Sequence, residues 1–194
     1  IWLVGGTIPC QQGIRDINKV RSACFVYDSQ GDEVARYDKI HMFDVDIEDS
    51  HGSYRESDTF EAGDQLVVID TPVGKVGLTI CYDLRFAEMH AKLVDLGAQI
   101  IVNGAAFTRT TGQAHWHTLL RARAIETQCY MLAASHGGQH DHRQTFGHSM
   151  IIDPWGEILV ELGEGPGIAV ARIDLDHLKT IRRAFPLQYQ RRLK

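Results

Sequence analysis

Residues 76–85 read VGLTICYDLR, and this stretch decides the fold. The run that leads into Cys81 is mainly apolar and β-branched, which predicts a buried strand, and a helix is expected from Arg85 to Leu96. Cys81 therefore stands where a strand turns into a helix, beside backbone N–H groups and the positive end of a helix dipole. Such groups stabilise a thiolate and an oxyanion, so Cys81 is a candidate nucleophile. From position alone, a buried structural cysteine is an equally good interpretation.

Short β-rich runs recur along the chain and are separated by turn residues. The turns at residues 28–32, 71–75 and 153–156 contain Gly with Asp or Pro, which predicts antiparallel hairpins at these places. Ten strands are predicted in all. They are Trp2–Ile8, Ser22–Tyr27, Glu33–Tyr37, Leu66–Asp70, Val76–Cys81, Ala98–Val102, Cys129–Ala134, His148–Ile152, Ile158–Glu161 and Ile168–Ile173.

Helices interrupt this series of strands. Arg85–Leu96 and Gln113–Thr127 each carry an apolar stripe at helical spacing, and a third helix is expected to begin at the N-cap Asp174 and to end near Ala184. Helices between strands indicate a layered α/β fold, and we expect one domain over residues 1–194. The polar stretch at residues 44–64 is predicted to be a loop near a functional site.

Composition narrows the class of partner. The chain has 194 residues and a formal net charge of -5, without a long run of Lys or Arg, so nucleic acid and anionic membranes are not expected partners and a small molecule is. No stretch approaches the roughly 20 apolar residues of a membrane span, and no signal-peptide pattern is present, which favours the cytoplasm. The sequence opens on a strand-like segment without Met, so we expect further residues upstream.

Two charged residues could assist a nucleophile. Lys39 follows a predicted strand and could stabilise a negative tetrahedral intermediate and lower the pKa of the Cys81 thiol. Glu56, in the polar loop, could orient Lys39 or help to move protons. Taken singly, each is better interpreted as an ordinary solvated charge. Cys10, Cys24 and Cys129 are interpreted as structural cysteines without disulfides, because they show no CxxC pair.

The ten histidines allow two further hypotheses. His115 could serve as the base of a Cys/His hydrolase, and His115, His117, His136, His140, His142 and His148 could be tested as metal ligands. No HExxH motif or clustered carboxylate accompanies them, so no metal and no cofactor is expected. Phe107, Thr111 and His115 are the residues predicted to contact the substrate.

Four motifs occur together in a fixed order: RYDKIH at 36–41, Glu56-Ser57, GLTICYDLRFAE at 77–88 and GHSMIIDPWG at 147–156. In this they resemble the carbon–nitrogen hydrolase (nitrilase) family, and the resemblance covers essentially the whole chain. The segments LRARAIETQCY at 120–130 and GHS at 147–149 resemble the Nit branch of that family, nearest the deaminated glutathione amidases and then the ω-amidases.

The resemblance implies a fold and a set of roles. The fold would be a four-layer αββα sandwich that forms a homodimer, with Arg85–Leu96 and Gln113–Thr127 as candidate interface helices. Cys81 would be the nucleophile, Lys39 the family's lysine and Glu56 its second glutamate. Lys39 and the backbone N–H of Tyr82 would hold the oxyanion, and Arg85 with Glu88 would brace the helix behind Cys81. The family's first glutamate, the general base, has no counterpart in this sequence.

The implied reaction is hydrolysis of a small linear amide through a thioester on Cys81, most closely an amide of an α-keto acid. An ω-amidase acting on α-ketoglutaramate, an N-carbamoyl amino acid amidohydrolase and a nitrilase remain alternatives, because they use the same residues. A different class also remains, that of a non-catalytic family member that binds a metabolite or a partner protein.

Overall fold

A six-stranded mixed sheet forms the centre of the protein in the computed structural model, which describes residues 1–47, 52–141 and 143–192. The strands are β1 (Leu3–Cys10), β2 (Arg21–Tyr27), β3 (Glu33–Asp38), β4 (Asp44–Asp46), β5 (Ser53–Arg55), β6 (Val68–Thr71), β7 (Gly74–Ile80), β8 (Ile100–Ala105), β9 (Tyr130–Ser135), β10 (Gly137–His140), β11 (Arg143–Phe146), β12 (Met150–Ile152) and β13 (Ile158–Glu161). The helices are α1 (Ala87–Asp95), α2 (Arg109–Thr127), α3 (Leu175–Ala184) and α4 (Leu187–Gln190), with 3-10 turns at Glu56–Asp58 and Cys81–Arg85.

The central sheet has the order β13-β12-β9-β8-β7-β6, and its middle strands β7, β8 and β9 run parallel. A second sheet has the order β1-β2-β3 and is antiparallel. Because side chains alternate along a strand, the neighbours Ile100 and Ile101 of β8 enter different cores. Ile101 packs in the cluster that contains Trp116 and Leu120 of α2, and Ile100 packs with Tyr37 of β3. The central sheet therefore lies between a helical layer and the second sheet.

This arrangement confirms the predicted α/β sandwich. Three layers are present: the helices α1 and α2, the central sheet and the three-stranded sheet. An outer helical layer over β1–β3 is not found among the described residues, and the fourth layer stays a prediction. None of the helices in the described ranges combines the length and the apolar character that crossing a bilayer requires.

Most predicted elements are present, and the differences have local causes. All three predicted hairpins are antiparallel pairs, β2–β3, β6–β7 and β12–β13. The predicted strand Ile168–Ile173 is wrong, because no described strand pairs with it and its alternate side chains Ile168 and Val170 are exposed. The helix predicted from Gln113 begins at Arg109, because Thr108 caps it by accepting a hydrogen bond from Thr111 N at 3.3 Å.

Two regions that the sequence left irregular contain strands. The predicted loop at 44–64 holds the short hairpin β4–β5 and a 3-10 turn, although its residues 48–51 lie outside the described residues. The hairpin β10–β11 was not predicted, since its residues are mostly polar.

The N-cap Asp174 is confirmed, and its carboxylate accepts from the backbone N–H groups of Asp176 and His177.

The apolar stripe of α2 packs inside this chain. Trp116 and Leu120 are fully buried against the central sheet, and the indole N–H of Trp116 donates to His148 O at 2.8 Å. This candidate interface helix therefore uses its apolar stripe inside the chain. Trp116 is not exposed for contact with a second subunit, and the homodimer stays a prediction.

Candidate active site

One large cavity lies at the edge of the central sheet where its parallel strands end. Its volume is about 910 Å³, and its wall includes Cys81 after β7, Ala106 after β8 and His136 after β9. The carboxyl ends of parallel strands meet at one edge of a sheet, which is where such folds place their ligands. The strand-to-helix position of Cys81 in the sequence thus becomes a position in the cavity wall.

Cys81 has a backbone conformation that is rare for a residue with a side chain, and burial disfavours its thiolate form. Its φ angle is +49°, in the left-handed region that a residue with a side chain rarely adopts, and it begins the 3-10 turn Cys81–Arg85. Burial raises the pKa of the Cys81 thiol, and this outweighs the opposite effects of the Lys39 charge, a backbone hydrogen bond from Ala106 and the Arg143 charge. The sequence predicted a lowered pKa, and this is wrong because burial of the thiol cannot be read from neighbouring charges.

Lys39 is buried in the cavity wall. It is only 3% exposed, and its ammonium group donates a hydrogen bond to the carboxylate of Glu56. The same Glu56 oxygen accepts the backbone N–H of Phe43 at 2.6 Å. A buried ammonium is tolerated when a carboxylate pairs with it, so these two residues form a unit. The interpretation of Lys39 and Glu56 as ordinary solvated charges is excluded, and the structure brings both to the cavity that Cys81 lines.

Asp83 ties the two halves of this wall together. Its carboxylate is fully buried and accepts hydrogen bonds from Tyr37 Oη at 2.6 Å, His41 N at 3.1 Å and Ile80 N at 2.9 Å. The imidazole Nδ1 of His41 lies 2.7 Å from it. Burial raises the pKa of Tyr37, so its phenol stays protonated and donates. Asp83 therefore holds the strand end that carries Lys39 against the turn that carries Cys81.

Arg85 occupies a place that the sequence did not predict. Its side chain enters the cavity wall, where its guanidinium lies 5.7 Å from the ring centroid of Tyr82 and 5.2 Å from that of Phe107. Glu88 is exposed and lies outside the cavity wall, so Arg85 with Glu88 does not form the predicted brace. Arg123 of α2 braces the turn instead, because its Nε donates to Leu84 O at 2.8 Å and its Nη2 to Arg85 O at 3.0 Å.

Of the three residues predicted to contact the substrate, two line the cavity and one does not. Phe107 and Thr111 line the cavity, as does Tyr82 of the predicted oxyanion site. His115 is exposed, is not part of the cavity wall, and lies with its Nδ1 3.2 Å from Arg85 Nη1. This contact leads to Arg85 and not to Cys81, so the geometry does not favour His115 as the base for the thiol.

Comparison with known proteins identifies the family. The sequence profile described as carbon-nitrogen hydrolase matches residues 1–183. The chain belongs to the carbon–nitrogen hydrolase family. It is similar to the deaminated glutathione amidase of Yersinia enterocolitica, with 48% identity over 98% of this chain and 67% of that protein. It is also similar to the deaminated glutathione amidase of Bos taurus, with 44% identity over 99% of this chain and 59% of that protein.

A solved structure shares this fold. The C. elegans NitFhit protein superposes with a TM-score of 0.90 at 40% identity, over 99% of this chain and 47% of that one. The chain therefore spans between about half and two thirds of the length of these relatives. The resemblance of the motifs at 36–41, 77–88 and 147–156 to this family is confirmed.

A substitution of Asp83 tests whether its buried hydrogen bonds hold the cavity wall together. The Asp83→Ala variant is expected to lower the free energy of unfolding by about 2–4 kcal/mol, because it leaves several buried donors without an acceptor. Urea denaturation measures this change. Asp70→Ala is the matched control, since Asp70 is 83% exposed and, among the described residues, forms an ion pair only with Lys75, at 3.6 Å. Its expected cost is below about 1 kcal/mol, and equal costs for the two variants would show that Asp83 does not hold the wall.

Three wall residues carry no signal in the sequence that sets them apart. Phe43 and Tyr54 are in ring contact at 5.0 Å, Phe43 also meets Tyr82 at 5.1 Å, and Arg143 reaches the cavity from β11. Each is a common residue type outside any catalytic motif. Only the packing of the β4–β5 and β10–β11 hairpins against the sheet edge brings them to the cavity that Cys81 lines.

Among the described residues, which do not include the candidate His142, one histidine cluster lies away from the cavity. The ligand atoms of His117, His148 and Glu161 lie within 4.8 Å of one another, a spacing that could hold a metal ion. Glu161 Oε1 is 2.8 Å from His117 Nε2 and 2.7 Å from His148 Nδ1. Burial favours a raised pKa for Glu161, but the hydrogen bonds with His148 and His117 outweigh it and lower that pKa. The expectation that no carboxylate accompanies these histidines is therefore wrong, and the expectation of no metal stays a prediction.

Proposed function

We propose that the protein hydrolyses a small linear amide through a thioester on Cys81. The observation that carries this proposal is the meeting of Cys81 with the buried Lys39–Glu56 pair in one cavity. Membership of the carbon–nitrogen hydrolase family supports it. The relatives that carry the amidase name are longer than this chain. The activity is therefore a proposal for this protein.

The chemistry begins at Cys81 Sγ. The sulfur attacks the amide carbon, the S–C bond forms, and the carbonyl electron pair moves to oxygen. When the pair returns, the C–N bond breaks, and the nitrogen takes up the proton that the thiol has lost and leaves as ammonia or an amine. Water then attacks the thioester, giving the carboxylic acid and restoring the thiol.

Removal of the thiol proton has to accompany the attack, because burial raises the pKa of Cys81. The family's general base is a glutamate without a counterpart in these 194 residues. Glu56 is assigned to holding Lys39 and to proton movement, since its carboxylate is already engaged by the ammonium group and by Phe43 N.

Lys39 and Tyr82 stabilise the oxyanion in this proposal. The ammonium group of Lys39 is buried, and charge stabilisation is stronger where water is excluded. Tyr82 is the second residue of the turn Cys81–Arg85, where the first backbone N–H groups have no partner within the turn. An oxyanion formed on a carbon bonded to Cys81 would lie close to both groups.

The substrate class proposed is an amide of an α-keto acid, with deaminated glutathione as the best-supported member. Both relatives named above carry the name deaminated glutathione amidase. The geometry agrees, because Arg85 presents a guanidinium to the cavity four residues after Cys81, and a guanidinium binds a carboxylate through two parallel hydrogen bonds. An acyl group tethered to Cys81 could place its α-keto acid end on Arg85.

A side-by-side assay tests this proposal against its alternatives. We expect release of amine from deaminated glutathione to be faster than release of ammonia from α-ketoglutaramate or from an N-carbamoyl amino acid, at equal concentrations of the complete protein. Faster turnover of α-ketoglutaramate would make the protein an ω-amidase. Binding of deaminated glutathione without turnover of any of the three would support the non-catalytic alternative. A homodimer is proposed from the family resemblance alone, and a cytoplasmic location is proposed from the sequence pattern alone.

A further inference from the structure

Two guanidinium groups in the cavity wall lack a carboxylate partner among the described residues. The charged residues of the wall are Lys39, Arg55, Glu56, Arg85 and Arg143. Lys39 pairs with Glu56, and Arg55 pairs with Asp46 at 2.9 and 3.0 Å. In the described part of the chain, the contacts of the remaining positive charges, Arg85 and Arg143, are with rings, backbone and His115. A cavity of this kind attracts a ligand with two negative groups.

Of these two arginines, Arg143 is the one with a buried donor that lacks a hydrogen-bond partner in the described part of the chain. Its Nη2 donates to Ala106 O, and its guanidinium carbon lies 5.9 Å from the ring centroid of Tyr54. Its Nε is buried and has no hydrogen-bond partner among the described residues. A buried donor without an acceptor costs free energy, and a ligand carboxylate would provide the acceptor. Arg143 and Cys81 line the same cavity, so this guanidinium shares the space in which the reaction would take place.

The two arginines are anchored separately. Arg85 belongs to the same short turn as Cys81, so its distance from the nucleophile is fixed by that turn. Arg143 projects from the β10–β11 hairpin and rests on Tyr54 of β5, whereas Arg85 rests on Tyr82 and Phe107. Their contacting residues are different, so they can hold two separate groups of one substrate. Burial lowers the pKa of Arg85, as expected for a cation that no carboxylate compensates.

We propose that Arg143 binds a carboxylate on the leaving amine of the substrate, while Arg85 holds the carboxylate of the acyl half. The acyl half becomes bonded to Cys81 and needs a cation at a fixed distance from it, which Arg85 supplies. The leaving half is never bonded to Cys81, so its carboxylate does not need a cation at a fixed distance from the sulfur. Arg143, on the separate hairpin, can therefore bind it. Arg143 thus selects amides whose amine ends in a carboxylate, over amides that release ammonia. This inference rests on the proposed function.

Deaminated glutathione and its C-terminal carboxamide form the matched substrate pair for a test. Both have the same scissile amide and α-keto acid, and they differ only in the charge at the far end of the leaving amine. We expect Arg143→Gln to lower kcat/KM for the carboxylate substrate about 10- to 100-fold more than for the carboxamide, since a hydrogen-bonded charge contributes that much. Arg143→Lys, which keeps the charge without the fork, is expected to restore part of the difference.

Controls separate this effect from a folding defect and from a failure of the proposed function. Arg109→Gln is the matched control, because Arg109 is half-exposed, pairs with Glu164 and lies outside the cavity wall. It is expected to leave both values of kcat/KM within about threefold of the wild type. Equal losses on the two substrates, or no loss, in an Arg143→Gln variant with an unchanged melting temperature would overturn the inference alone. A wild-type protein that hydrolyses neither substrate would overturn the proposed function and the inference with it.

Discussion

The Cys81→Ala variant is expected to lose amide hydrolysis by at least about 10,000-fold in kcat, because a nucleophile that forms the covalent intermediate has no substitute. The fold should persist, since alanine adopts the left-handed backbone of residue 81, where φ is +49°, about as well as cysteine does. Initial rates with deaminated glutathione and thermal melting of the same sample measure the two effects.

Cys10→Ala is the control for this result. Cys10 is a half-buried free cysteine on β1 that does not line the cavity, so its replacement should leave the rate within about threefold of the wild type. Full activity of Cys81→Ala would show that Cys81 is a structural cysteine, which was the equally good interpretation of its position in the sequence.

The Lys39→Ala variant has the second largest expected effect. We expect a loss of about 100- to 1,000-fold in kcat, because the variant removes a buried positive charge that stabilises the oxyanion. It also leaves the Glu56 carboxylate half-buried without its ammonium partner, so the free energy of unfolding should fall as well. Steady-state kinetics and urea denaturation separate the two contributions.

Two further variants make the Lys39 result specific. Lys75→Ala is the matched control, because Lys75 is about half exposed on β7 and reaches only Asp70, at 3.6 Å. His115→Ala tests the Cys/His alternative, in which His115 would be the base. If His115→Ala removed essentially all thiol reactivity while Lys39→Ala kept the wild-type rate, the site would be a Cys/His hydrolase and the proposed role of Lys39 would be wrong.

The part of the site that the sequence predicts correctly is local. Cys81 could be placed at the end of a strand because the apolar run before it and the turn after it are adjacent in the chain. The same is true of the three hairpins and of the N-cap Asp174. Where a pattern and its cause lie within a few residues, the sequence contains the information needed to predict the structure.

The part that the sequence does not predict depends on distant contacts. Asp83 holds Tyr37, which is 46 residues away, and Arg143 meets Ala106, which is 37 residues away. Neither contact has a spacing pattern, because each joins elements that come together only in the folded chain. Asp83 in the turn after β7 meets β3 of the second sheet, and Arg143 of β11 meets the end of β8. Burial is also a property of the folded chain, and for this reason the direction of the Cys81 pKa shift was predicted wrongly.

The strand predicted at 168–173 failed for a related reason. Its alternating apolar residues have the right propensity, but a strand needs a neighbouring strand to pair with, and none of the described strands lies beside it. Conversely, β10 and β11 are mostly polar and pair with each other. At both places the presence or absence of a neighbouring strand decided whether a strand formed, and the strand propensity of the residues did not.

The central claim is that an acyl group is carried by the sulfur of Cys81. Rapid acid quenching of the complete protein with deaminated glutathione, followed by mass spectrometry of its peptides, tests this claim most directly. We predict that the peptide containing Cys81 gains the mass of the α-keto acyl group during turnover, and that the corresponding peptide of Cys81→Ala does not. Turnover with the Cys81 peptide unmodified at every quench time, or with the acyl group on another residue, would contradict the claim.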